Sequence, residues 1–102
     1  MSEAAQRFRE AAIENVLGPD GRASRADRQA AYANEGVSPA ARALVDKVTR
    51  NAWKVTDEDI AGAKAAGLSE DQVFELTVCA AMGQSTRQLD AAMAALDEAE
   101  KK

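Results

Sequence analysis

Ser69-Glu70-Asp71-Gln72-Val73-Phe74-Glu75-Leu76-Thr77-Val78-Cys79-Ala80-Ala81-Met82 is the stretch that decides the fold. Ser69 and Gln72 are spaced as a capping box, in which each side chain satisfies an amide that the first helical turn leaves open. From Val73 to Met82, seven residues of ten are apolar, Cys79 is an eighth, and only Glu75 and Thr77 are polar. No strict alternation is present, so the run reads as a helix rather than a half-buried strand. A helix apolar on nearly every side demands burial on nearly every side. A chain this short offers few helices to supply that cover, which points to a partner subunit.

Gly83 follows and reads as a kink or break. A last helix is expected from about Ser85 to Glu98, with Leu89, Ala92, Met93 and Leu96 as its seam. Ala91, Ala95 and Ala99 form a second stripe of small residues that a neighbouring helix can approach closely. Upstream, Thr56 caps a helix whose first turn holds Asp57, Glu58 and Asp59, at the positive end of the helix dipole, and Gly67 closes it in the left-handed region. Ser38-Pro39 is a start signal for the helix before that. There Leu44, Val45, Val48 and Ala52 share a face, and the helix ends near Asn51 to Trp53.

The first third is expected to hold two helices. One runs from about Glu3 to Leu17, capped by Ser2, ended by Gly18-Pro19, and lined by Phe8, Ala12, Ile13, Val16 and Leu17. Asp20-Gly21-Arg22-Ala23 reads as a turn. A shorter helix runs from Ser24 to about Asn34, packing weakly through Ala26, Ala30 and Ala33 before Gly36. The whole reads as one all-α domain over 1–102, with five to six helices in a bundle and oligomerisation completing its burial. Its parts are N-terminal helices over 1–36 and a helical core over 38–99.

Composition agrees. Alanine, the best helix former, is roughly a quarter of the 102 residues, and aromatics are 4%. With 13 basic and 17 acidic side chains the net charge is −4, which supplies no general attraction for nucleic acid or anionic lipid. Arg22, Arg25 and Arg28 make a local basic spot without the Asn or Gln base readers of a recognition helix. No run approaches the roughly 18 to 20 apolar residues that span a bilayer, and the N-terminal residues carry no apolar export signal. A cytoplasmic protein is expected. The chain has one Cys, hence no internal disulfide, and no His, the commonest metal ligand and general base.

Val55-Thr56-Asp57-Glu58-Asp59-Ile60, with Ala65-Ala66-Gly67-Leu68-Ser69-Glu70-Asp71-Gln72-Val73-Phe74-Glu75-Leu76 and then Ala80-Ala81-Met82 and Thr86-Arg87, resembles the AhpD-like, carboxymuconolactone decarboxylase-like superfamily. The resemblance covers about residues 38–96. It implies an all-α fold assembled as a trimer or hexamer. In the peroxidase branch a Cys-x-x-Cys pair followed by a His precedes the helix corner. Anchored on Ala66-Gly67-Leu68-Ser69, Ala52 and Val55 stand where the two cysteines would lie, and Asp59 about where the His would lie. A paired-thiol cycle needs one thiolate to attack peroxide and a second to resolve the sulfenic acid. The decarboxylase branch uses His-containing sites. The resemblance therefore implies the family's scaffold without the residues of either chemistry.

Each remaining candidate has a structural and a functional reading. Cys79 is a buried small hydrophobe, or the thiol of a single-cysteine enzyme or sensor. Asp57, Asp59 and Gly62 match three positions of a calcium loop, but Ala61 and Leu68 fail where oxygen ligands are required. The cluster therefore reads as a helix start, and no metal is expected. Asp59 and Glu75 are the candidate acid or base of a carboxylate enzyme acting on a small anionic substrate, which Arg87 would hold. Arg87 otherwise caps a helix or pairs with Glu75 across a subunit boundary. Trp53 covers the core or walls a small ligand pocket. The expected function is an oligomeric, non-redox binding or accessory protein without a cofactor, a small-molecule ligand being compatible with it.

Overall fold

The computed structural model describes residues 3–18 and 21–101 and is all-helical, with no strand among them. Five α-helices follow one another: α1 (Glu3–Leu17), α2 (Arg25–Ala33), α3 (Pro39–Asn51), α4 (Asp57–Ala65) and α5 (Glu70–Glu100). A single 3-10 turn, Ala52–Lys54, ends α3. Ser2, Pro19 and Asp20, to which the sequence assigned a cap, a stop and a turn, lie outside the described residues.

The caps form where the side-chain chemistry demands them. Ser24 Oγ accepts from the Asp27 amide at 3.0 Å. Ser69 Oγ accepts from the Gln72 amide at 3.1 Å while Gln72 Oε1 accepts from the Ser69 amide at 2.8 Å. Pro39 occupies the first turn of α3, although Ser38 makes no side-chain cap bond. Gly67 takes φ of 110°, the positive value the α4–α5 corner requires.

Two expectations about α5 fail together. There is no break at Gly83, and the separate last helix from Ser85 to Glu98 does not exist. The helix is continuous for 31 residues, about 46 Å at 1.5 Å per residue. Gly83 serves packing. It is buried, and a Cβ placed there would run into the backbone carbonyl of Tyr32. The glycine lets the C-terminal end of α2 rest directly on α5. Arg87, one turn further on, donates from Nη1 to the same Tyr32 carbonyl at 2.7 Å. Asn34 then ends α2 in the left-handed region, at φ of 52°.

The core is small and rich in alanine. Leu44, Val45 and Val48 of α3 meet Val73, Leu76, Cys79 and Ala80 of α5, with Ala31, Ala41 and Ala63 filling in. Because these side chains are short, α2 and α3 come close to the α5 backbone, and α2 makes the most extensive contact of any pair. The sequence had α2 packing weakly through Ala26, Ala30 and Ala33. Instead Ala31 and Arg28 are buried, whereas Ala26 and Ala33 are exposed. Ala52 is likewise exposed, since the chain has left the α-helix for a 3-10 turn there. Helix α1 buries no residue fully and lies antiparallel along α5, with Arg9 bonded to Asp90 at 3.3 Å. Phe8, expected on its inner face, is 80% exposed.

Candidate functional site

Glu75 and Cys79 come together one turn apart on α5, facing the loop before α2. Both Glu75 carboxylate oxygens are occupied. Oε1 and Oε2 accept from the Arg22 amide at 2.8 and 2.9 Å, and Oε2 also accepts from the Ala23 amide at 2.7 Å. The carboxylate thus satisfies two backbone donors that no strand or helix pairs. Arg28, only 2% exposed, reaches the same place from α2. Its Nε donates to the Ala23 carbonyl at 3.2 Å and its Nη1 to the Val16 carbonyl at 2.9 Å. One buried guanidinium therefore ties the last turn of α1 to the loop that Glu75 holds.

Cys79 lies under this knot at 1% exposure, its Sγ 3.9 Å from the Val16 carbonyl. Burial pushes the thiol above its ordinary value; the Arg28 charge opposes that rise and the Glu75 charge adds to it. A thiol so placed stays protonated near neutrality, and the thiolate is the form that attacks. Beside it a small cavity of about 170 Å³ is walled by Val16, Phe74 and Val78 and reached by Arg28 and Glu75. The Glu75 oxygens and the Arg28 Nε and Nη1 are spent on backbone partners, so the cluster holds the α1–α2 loop to α5.

Asp59 stands apart from this cluster. As the third residue of α4 it completes the capping box, its Oδ2 accepting from the Thr56 amide at 2.9 Å and the Thr56 hydroxyl at 3.1 Å. Lys47 Nζ lies 2.8 Å from the same oxygen. The bond to Lys47, then the Thr56 amide, hold the carboxyl below its ordinary value. General acid catalysis would need the opposite shift. Among the described residues, no group of His, Cys, Asp and Glu is arranged to hold a metal ion.

Trp53 and Asp59 border different hollows, Trp53 beside Ala81 and Gln84 of α5 and Asp59 beside Lys47 and Arg50 of α3. Arg87 caps α2 through Tyr32 and also donates to Gln84 Oε1 at 3.3 Å. It makes no pair with Glu75 within the chain. Trp53 does not cover the core. It is 80% exposed on the 3-10 turn, with Lys54 Nζ 4.8 Å from its ring centroid, a cation–π contact. Beside it runs an open trough of about 350 Å³ between the end of α3 and the face of α5 that carries Ala81, Gln84, Ser85 and Gln88. Phe74, on the same side of α5, is 68% exposed, so the apolar helix is covered along one side only.

Sequence reasoning missed Arg28, reading it as one of three surface arginines. Its hydrogen-bond partners are the backbone carbonyls of Ala23 and Val16, and no side-chain spacing marks a carbonyl. Of the trough's lining only Trp53 was singled out as a pocket wall; the small-residue stripe expected on α5, Ala91, Ala95 and Ala99, lies beyond the trough. No protein-family model matches the chain, and no curated protein or solved structure does either.

Proposed function

We propose that this chain is a non-redox, AhpD-like helical protein that works as a homo-oligomer in a binding or accessory role. The observation that carries the reading is where the large apolar side chains lie. Phe8, Trp53, Phe74 and Leu96 are all at least half exposed in the single chain, while the fully buried core has only Leu44, Leu76, Val45 and Cys79 as its largest members. A domain that leaves much of its aromatic surface outside has a reason to associate.

The polar residues that an enzyme would use point the same way. Asp59, Glu75, Arg28 and Arg87 are each bonded to backbone groups that need a partner. Ala52 and Val55 occupy the positions that correspond to the peroxidase thiols in the AhpD-like frame. No helix among the described residues is long and apolar enough to cross a membrane. Size-exclusion chromatography with light scattering tests the reading. An assembly of several 10.8 kDa chains is expected at micromolar concentration, and a monodisperse monomer would overturn it.

A further inference from the structure

We propose that the trough beside Trp53 receives α5 of a second copy of this chain, the two α5 helices running antiparallel about a two-fold axis near Gln88. The proposal rests on the oligomer reading and names the surface that performs it. The trough is open, its floor is the Ala81–Gln88 face of α5, and its wall is an indole with four-fifths of its surface uncovered. At about 3.6 residues per turn the same face of α5 continues through Ala92, Ala95 and Ala99, all exposed. Antiparallel pairing centred on Gln88 sets Ala81 opposite the partner's Ala95, Gln84 opposite the partner's Ala92 and Ser85 opposite the partner's Ala91. Either side of the central Gln88 pair the facing residues are mostly small, which lets the two backbones approach closely there.

Charge selects this occupant and this direction. Arg50 and Lys54 flank Trp53, and neither joins an ion pair among the described residues. Glu98 lies one turn beyond Ala95, on the flank of α5 that faces the 3-10 turn of the other copy once the pair is formed. The partner's Glu98 is thus brought to Arg50 and Lys54, while the indole lies over the partner's Ala91–Ala95 segment. A parallel pair would put the basic turns side by side and the acidic helix ends together. Under two-fold symmetry each favourable contact occurs twice, and the interface closes on itself.

Trp53 is the only tryptophan, so its fluorescence reports this surface alone. The test follows self-association by sedimentation equilibrium and the emission maximum over the same concentrations, for the full chain and four variants. Emission should move to shorter wavelength as the chain assembles. Lys54→Glu and Glu98→Lys should each weaken association about tenfold, because two exposed pairs turn repulsive. The double variant should recover to within about threefold of the parent. Ala92→Arg, at an exposed helical position that leaves the monomer intact, should abolish assembly with no loss of helical circular dichroism. If the chain assembles but its emission stays unchanged, or Ala92→Arg still assembles, or the double variant is no better than the singles, the α5 pairing is wrong and the oligomer reading survives. If the parent is monomeric throughout, the reading itself falls and the pairing with it.

Discussion

Gly83→Ala separates two physical accounts of the same glycine. If Gly83 only interrupted a helix, alanine would stabilise the protein by about 1 kcal/mol, the usual propensity difference. The structure requires the opposite sign. The new Cβ meets the Tyr32 carbonyl, which is backbone and cannot rotate away. Relief requires the C-terminal end of α2 to move off α5, along the most extensive helix contact in the molecule. Overpacking of that kind costs about 1–3 kcal/mol. The displacement also stretches the 2.7 Å bond from Arg87 to the same carbonyl, and a charged hydrogen bond contributes about 1.5–3 kcal/mol. Offsetting the propensity gain against these losses leaves a net destabilisation of about 2–4 kcal/mol. For a domain of this size that lowers Tm by roughly 10–25 °C. Thermal unfolding followed by circular dichroism at fixed protein concentration measures it. A variant as stable as the parent, or more so, would refute the close α2–α5 approach.

Arg87→Met removes the cap on Tyr32 but keeps the aliphatic stem; it should cost about 1–2 kcal/mol in urea unfolding, with Arg87→Lys recovering part of that. Glu75→Gln leaves one acceptor oxygen where two served the Arg22 and Ala23 amides. Those amides should lose hydrogen-exchange protection before the core does, and unchanged protection would contradict the arrangement. Asp59 has a folded-state pKa below its ordinary value of 3.8, so its stabilisation is complete above that value and is lost as pH falls through the folded one. Asp59→Asn should therefore flatten the fall in stability below about pH 4 and leave its shape at neutral pH unchanged. Cys79 should react with a thiol reagent in the native protein only as slowly as global or local opening allows, and at once in denaturant; rapid native labelling would contradict its burial.

The helices themselves were legible because their ends are decided by neighbours in sequence. Ser24, Thr56 and Ser69 each accept the amide three residues on, a bond that local spacing alone specifies. The α3 face of Leu44, Val45 and Val48 was legible for the same reason, since helical period fixes which residues share a side. What failed was long-range. Gly83 was read from its low helix propensity, yet its conformation is ordinary helix, and what matters is a carbonyl 51 positions earlier. Arg28 was read from its charge as a surface residue. The backbone carbonyls of Val16 and Ala23 turn it inward, and a sequence does not display carbonyls. Of the candidate site residues, Glu75 and Cys79 are adjacent as helical spacing requires, whereas Asp59, Arg87 and Trp53, which sit on different elements, had no local spacing that could join them.

The alanine content that made the helices easy to recognise also sets the terms on which the chain is stable. Alanine favours helix but contributes little burial, and the core includes five alanines among its twelve buried apolar residues. Small domains already bury a low fraction of their surface. Here the large apolar residues that would make up the difference, Trp53 at the α5 trough and Phe74 beside the Cys79 cavity above all, lie outside rather than inside. If association covers them, stability depends on mass action, because anything that binds the folded chain and not the unfolded one adds to it. Tm should then rise with protein concentration, by several degrees over a hundredfold range. It should stop rising in Ala92→Arg, whose core and caps are untouched. A parent Tm independent of concentration would mean that the alanine-rich core is sufficient by itself and that the exposed aromatic face has no part in holding the fold.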